Sequence, residues 1–497
     1  MIISPSTRKC TASILYYSLL YNALPKSLIF LFGFTKKVDY LSNLSLVPGK
    51  YILLQLENTC HHFNCFSIFY QPLLKYCSLS YLLFFVYLVL LSWVLLNTRL
   101  IKDSGLNKKI IILLFICKVA AGLISGRISQ NAPNMDTWKY HADAQVEYQL
   151  LFQHPSQYFT NIFNSGYANP YAGVLKFKAS YWNDLKTNLI VKFISVLDIF
   201  SGANYYVNVV LFNFLVFIGN MALFRVYRYR YKHNINVLAC TCFLLPSFLL
   251  FSSTIHKEGL IIAALGWLLY CFYNALNFTG FTLKKLSGII FCFTVIFLFR
   301  NYVAAMIIPG LTAWAICHYK KYNPTVIFGI VYLLFILAFF NMHVIFSALN
   351  LPGLLVQKQA DFFSLEKARS QISTPVLYPY FTSFVTNLPT TLSHIFCRPF
   401  ITDYKLSPLL LPFSIELACY QFLMLLFFFI RKKSNGYDPF VLFGLFFGCS
   451  LLLIIGYIVP VIWAIIRYRS IYLPFLLIPV ILNIDWDKLV LLKRSKK

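Results

Sequence analysis

Residues 438–482 read DPFVLFGLFFGCSLLLIIGYIVPVIWAIIRYRSIYLPFLLIPVIL, and how this stretch is read decides the fold. Two apolar runs, 438–459 and 461–482, meet at Pro460, and their only charged residues are Asp438, Arg467 and Arg469. Each run is close to the roughly 20 residues that carry a helix across the hydrocarbon of a bilayer. A bilayer core offers no water to the backbone, so a segment crossing it has to satisfy its own amides as a helix.

The same pattern fills most of the chain. Of its 497 residues 59% are apolar, 18% aromatic and only 12% charged, with a mean hydropathy of +0.68. Soluble domains run near one half apolar and about one quarter charged, so a water-soluble fold is excluded. Disordered chains and disulfide frameworks fall on the same numbers. The expected fold is an all-α, polytopic integral membrane protein with eleven or twelve transmembrane helices. Spans are expected near 77–97, 110–126, 204–224, 235–253, 258–275, 286–299, 302–317, 324–345, 406–430, 438–459 and 461–482. The first 76 residues read as an N-terminal extension, with a twelfth candidate span at 11–33 interrupted by Pro25 and Lys26 and lacking the cleavage site of a signal peptide. Residues 77–482 form one bundle, and 483–497 are a basic tail.

The thirteen cysteines carry no framework. Cys117, Cys240, Cys271, Cys292 and Cys449 lie inside apolar runs, where cysteine serves as a small hydrophobe. Cys60 and Cys65 lie in a polar stretch where a pairing is conceivable. No CxxC pair stands at zinc-ligand spacing from histidines, so no metal site is expected from cysteine.

A net charge of +27 would point a soluble protein toward nucleic acid, but here the lipid bilayer is the expected partner and nucleic acid is not. Alternate connections hold Arg99, Lys102, Lys108 and Lys109; Arg225, Arg228, Arg230 and Lys232; Lys284 and Lys285; Lys320 and Lys321; Arg431 to Lys433; and the C-terminal basic residues. Twenty of the 43 Lys and Arg thereby fall on one side. By the positive-inside rule that side, with the C-terminus, is the cytoplasm. Run 187–202 is read as an interfacial or re-entrant helix, because counting it as a span would invert every later loop. Two long segments, 126–203 and 346–405, lie on the outer face, as do Asp136, Asp143, Glu147, Asp184, Asp198, Glu258, Asp361, Glu366 and Asp403. An active site is therefore expected to face outward.

Asp136, Tyr140, Asp143 and Glu147 recur at helical spacing on one face. Carboxylates so arranged can supply a general base or hold a divalent cation; a solvated helix capped by Asp136 accounts for the same pattern. Residues 164–173 mix aromatics and amides as sugar-binding loops do, and as ordinary loops do. The run PSFLLFSSTIHKEG, 246–259, turns between two spans at the outer face and places His256, Lys257 and Glu258 side by side. Pro246 permits a kink there, and a plain hydrated turn is the alternative reading. Arg300, Arg398 and the Arg467/Arg469 pair stand at outer ends of spans, against the charge rule. An anionic ligand gives them a reason, because guanidinium binds phosphate bidentately; snorkelling toward headgroups is the other. Glu416 is the carboxylate most nearly inside a span, with Arg398 as its candidate partner.

In order along the chain stand Asp136 in Met-Asp-Thr-Trp-Lys-Tyr-His, the Pro246-Ser247 corner with His-Lys-Glu, Arg398-Pro399 before the Glu416 span, and Arg467-Tyr468-Arg469-x-x-x-Leu-Pro474. Over about 110–482 this order resembles polytopic bacterial proteins of surface-glycan assembly, both the O-antigen polymerase and EpsG-like group and the GT-C glycosyltransferases. In the GT-C pattern the acidic loop follows the first span, whereas here it follows the second or third, which favours the polymerase-like group. The resemblance implies a bacterial inner-membrane enzyme that binds a polyprenyl-phosphate-linked glycan and transfers it to an acceptor hydroxyl. On that reading Asp136, or Glu258 with His256, takes the acceptor proton. Arg300, Arg467, Arg469, Arg398 and Lys257, with Tyr140 and Asp143, bind the substrate. A transporter or flippase for lipid-linked glycans, or a non-catalytic membrane scaffold, are the alternatives.

Overall fold

Apolar runs of span length have to become helices in lipid, and they do. The structure, a computed structural model, describes residues 79–130, 136–164, 181–232, 234–347, 349–365, 368–432, 437–486 and 488. The candidate span 11–33, Cys60 and Cys65, most of the 164–173 loop, Glu366 and most of the basic tail lie outside these residues. All described residues belong to one unit, Tyr76–Lys497. It is all-α; the β-pairing among the described residues is confined to two isolated bridges, Gln371 with Val461 and Arg431 with Ile484.

Nine helices among the described residues are long and apolar enough to cross a membrane. They are α1 (Leu79–Asn97), α2 (Lys108–Gln130), α5 (Tyr205–Arg230), α8 (Lys257–Phe278), α10 (Asn301–Lys320), α11 (Pro324–Ile345), α14 (Pro408–Phe429), α15 (Pro439–Ile458) and α16 (Ile462–Asn483). Two further apolar elements belong to the bundle among the described residues. α6 (Ile235–Phe243) and α7 (Pro246–Ser253) are an apolar helix pair bent by 54°, where Pro246, lacking an N–H, restarts the helix at its first turn. α9 (Leu283–Phe299) is a 17-residue helix. All eleven runs expected from hydropathy are helical, and nine of them, or ten with α6 and α7 counted as one span, have the length and hydropathy of a membrane crossing. The two long connecting segments add α3 (Asp136–Gln153) and α4 (Tyr181–Ser201), then α12 (Leu351–Phe363) and α13 (Phe381–Cys397).

Contacts at the two ends follow the expected alternation. At the basic end Arg225 pairs with Asp103 at 3.8 Å and Arg230 with Asp438 at 3.4 Å, and Asn483 donates to the Tyr231 hydroxyl at 2.9 Å. At the other end Trp138 donates to the Gly126 carbonyl at 2.9 Å, and Ile372 N–H reaches Pro460 O at 2.8 Å. α4 stays at this second end throughout. Its first turns meet Phe297 through Trp182, and its last turn offers the Phe200 carbonyl to Tyr87. Lys192 pairs with Glu147 of α3 at 2.5 Å, and Asp198 accepts from Asn208 at 2.6 Å. Those pairings are why a helix with charges at 192 and 198 rests on the bundle end.

Burial separates centre from rim. In α5 and α16, 78% and 83% of the span window is buried, against 6% in α1 and 11% in α11, whose apolar side chains are left for lipid. Cys271 and Cys292 are core residues as expected, whereas Cys240 points outward. α5 and α8 touch backbone to backbone. A Cβ on Gly219 would stand 2.3 Å from Ala263 Cα, and one on Gly266 2.1 Å from the Gly219 carbonyl. Small residues allow such approach between spans, where dispersion replaces the hydrophobic effect as the packing force.

Candidate functional site

Several elements deliver polar side chains to one place at the non-basic end. The α7–α8 corner is the centre. α7 ends at Ser253 and α8 begins at Lys257, with His256 in extended conformation as its N-cap. Glu258 lies in the first turn of α8, where the helix N-terminus favours a carboxylate. α3 brings Asp136 in its own first turn. α9 ends at Phe299 and leaves Arg300 at the junction with α10, and α16 carries Arg467 in its second turn.

His256 joins the two carboxylates. Its Nδ1 is hydrogen-bonded to Glu258 Oε2, and its Nε2 lies 3.2 Å from Asp136 Oδ2. Arg300 Nη2 donates to Glu258 Oε1 at 2.6 Å. Arg467 spans both acids, with Nη1 at 3.5 Å from Asp136 and Nε at 3.8 Å from Glu258. The ring of Tyr468 lies beneath both guanidiniums, 4.5 Å from Arg300 and 5.1 Å from Arg467, and its hydroxyl accepts from Arg467 at 3.2 Å. Lys257 stands over the Tyr140 ring at 4.9 Å and donates to Thr187 of α4 at 3.5 Å.

Exposure is graded across the cluster. The side chain of Glu258 is 1% exposed and that of His256 7%, whereas Asp136 is 45% exposed. Glu258 is thus the floor and Asp136 the mouth. Burial works against the Asp136 carboxylate, but the His256 bond and the charges of His256, Arg467 and Lys257 prevail and hold it well below the usual range. Burial, reinforced by Asp136 and Glu258, pushes the Tyr140 phenol up. The Nε donors of Arg300 and Arg467 are buried and have no hydrogen-bond acceptor among the described residues. Arg469 Nε, outside the cluster, is buried without an acceptor in the same way.

Two lysines that carried no signal in the sequence join the cluster. Lys186 of α4 is surrounded by like charge; burial, then Arg300, Lys358 and Lys257, push its ammonium down to about 6. Lys358 of α12 is lowered by burial and Arg300, with Tyr468 and Asp361 opposing. Both come from helices of the two long connecting segments, whose positions depend on the bundle they pack against. Tyr468 was visible only as the residue between two arginines.

Of the residues singled out by sequence, the structure brings together Asp136, Tyr140, His256, Lys257, Glu258, Arg300 and Arg467. Arg469, two positions on, is rotated about 200° around α16 at about 100° per residue. It donates to the Arg398 carbonyl at 2.5 Å. Arg398 pairs with Asp403 at 2.7 Å, not with Glu416, so Arg398 and Arg469 form a separate group. Asp143, partly buried on the same face of α3, stands two turns or about 10 Å further along the helix than Asp136. Glu147 continues the Asp136 face but is spent on Lys192 and on Asn161, the latter at 2.8 Å. Among the described residues no three His, Cys, Asp or Glu side chains are placed to hold a metal ion. An apolar groove lined by Phe272, Leu311, Ala315 and Tyr319 lies ten or more residues further along α8 and α10, outside the cluster.

The arrangement can bind an anion between guanidiniums, relay a proton through His256 and present an ionised carboxylate at its mouth. Comparisons with protein-family models, curated proteins and solved structures find no match to this chain.

Proposed function

We propose that the protein is a membrane-embedded glycan polymerase or glycosyltransferase of the bacterial inner membrane. It uses a polyprenyl-phosphate-linked sugar at the outer face. The observation that carries this reading is the meeting of Arg300 and Arg467 with the Asp136–His256–Glu258 triad at one end of the bundle. Glycosyl transfer from a lipid phosphate needs two things: cations on the departing phosphate and a base on the attacking hydroxyl. Arg300 and Arg467 supply the first, stabilising negative charge as the sugar–phosphate bond breaks. Asp136 at the mouth, or His256 held between Asp136 and Glu258, supplies the second. Glu258 holds both guanidiniums and one imidazole nitrogen in place from below.

A carrier for the same lipid-linked material is the rival. Carriers bind near the bilayer midplane between related halves, whereas this cluster lies at the helix ends. That position favours chemistry at a surface, where a lipid headgroup and a soluble or lipid-linked acceptor meet.

The test is deletion of the gene followed by gel analysis of surface glycan, with complementation by the wild type, Arg467→Ala and Asp136→Ala. The expected outcome is a ladder shortened by deletion, restored by the wild type and restored by neither variant. Removing one charge stabiliser is expected to slow transfer by about 10²–10³. An unchanged ladder after deletion overturns the proposal.

A further inference from the structure

α7 is the second helix of the bent pair, eight residues from Pro246 to Ser253. A helix carries roughly half a positive charge at its N-terminus and half a negative charge at its C-terminus. Neither end of α7 reaches water, since Ser247 is 2% exposed and Ser252 and Ser253 are 0%. Each end instead meets one buried charge of the complementary sign.

At the N-terminus, Glu416 of α14 accepts the Ser247 backbone N–H at 2.9 Å and the Ser247 hydroxyl at 3.0 Å, both on Oε1. The same oxygen accepts the Tyr420 hydroxyl. At the C-terminus, Lys118 of α2 donates to Ser252 Oγ at 2.6 Å and lies 3.4 Å from Ser253 Oγ. Lys118 is 1% exposed and Glu416 8%, and neither is within ion-pair distance of an opposite charge among the described residues. Charges inside a membrane bundle are expensive and need an interior partner; here each has a helix terminus. Asn213 takes up the last carbonyl, donating to Ser253 O at 2.9 Å. Gly122 lets α2 come that close, because a Cβ there would stand 2.7 Å from the same oxygen.

The chain leaves this clamp directly into the candidate site. Thr254 is tied to Ser125 of α2 at 2.5 Å, Ile255 is 0% exposed, and His256 follows. A shift of α7 along its axis is therefore carried straight into His256 and Glu258.

We propose that Glu416 and Lys118 are positioning residues, which grip α7 by its two ends and so fix the His256–Glu258 corner against Asp136 and Arg300. The inference concerns the geometry of the corner and stands whichever reaction the corner performs.

The test is amide hydrogen exchange on the full-length protein in lipid nanodiscs, followed over residues 246–260 and, as controls, over α5 and α15. Glu416→Gln and Lys118→Met are each expected to speed exchange in 246–260 by about tenfold, the size of a partly buried charge–terminus interaction, and to leave the controls unchanged. Glu416→Asp and Lys118→Arg, which keep the charge, are expected to recover most of the protection. The exchanged pair, Glu416→Lys with Lys118→Glu, puts the wrong sign at each end and is expected to stay fast. Ser247→Ala is mild enough to fold whatever the others do, and removing one bond should speed the same peptide about threefold. Unchanged exchange in 246–260 across these variants, an equal rise in the controls, or wild-type protection in the exchanged pair overturns the proposal. Because no substrate enters this readout, its failure is distinct from failure of the glycan assay.

Discussion

Glu258 and Asp136 are carboxylates of one cluster, and their surroundings give them opposite work. Glu258 is sealed at 1% exposure and holds Arg300 at 2.6 Å and Arg467 at 3.8 Å. Neutralising it leaves two guanidiniums without their buried counter-charge, a change that costs about 3–5 kcal/mol. Asp136 is 45% exposed, and its contact with Arg467 is 3.5 Å long, so its loss costs about 1 kcal/mol or less. Glu258→Gln is therefore expected to lower the melting midpoint of the purified protein steeply, while Asp136→Asn melts near the wild type and still fails to build glycan. An equally steep drop in both variants would show that both acids merely hold the fold. These residues were legible in the sequence because charge stood at span ends where topology asks for none. Lys186 and Lys358 were not legible, since a lysine in a connecting segment is ordinary until the fold surrounds it with three other cations.

Among elements, the bent α6–α7 pair and the α5–α8 contact decide the architecture. Pro246 announced the break; its 54° bend and the buried charges at both ends of α7 did not appear in any local pattern. The glycine contact is equally specific. Gly219→Leu or Gly266→Val forces apart backbones already in touch, and overpacking of this kind costs about 1–3 kcal/mol or more. Gly329→Ala in α11 is the control, because a Cβ there meets nothing within 4 Å. Thermal unfolding in detergent is expected to drop for the first two and to hold or rise slightly for the third, alanine being the better helix former. A comparable drop at Gly329 would mean that glycine is needed for flexibility, not for close approach.

Across the whole molecule, charge asymmetry and contact pattern agree on a helical bundle with nine long apolar helices among the described residues and the candidate site at the end opposite the basic connections. Reporter fusions test the orientation. A fluorescent protein fused after Lys497 is expected to fluoresce, and alkaline phosphatase fused at the same point to be inactive, as both report a cytoplasmic C-terminus. The reverse pair of results would turn the cluster inward and remove the outer-face reading. The amino-acid sequence by itself determined that this is an all-α membrane bundle and where its helices run, because hydropathy over twenty residues is a local quantity that the bilayer enforces one span at a time. It also marked Asp136, His256, Glu258, Arg300 and Arg467, since a polar side chain at a span end stands out against an apolar background. Only the tertiary structure decided which of them meet. It turned Arg467 toward Glu258 and Arg469 toward Arg398, gave Glu416 to the start of α7 in place of Arg398, and drew in Lys186 and Lys358. Those choices depend on helix rotation and on contacts between residues up to 331 positions apart, which no local pattern in the chain encodes.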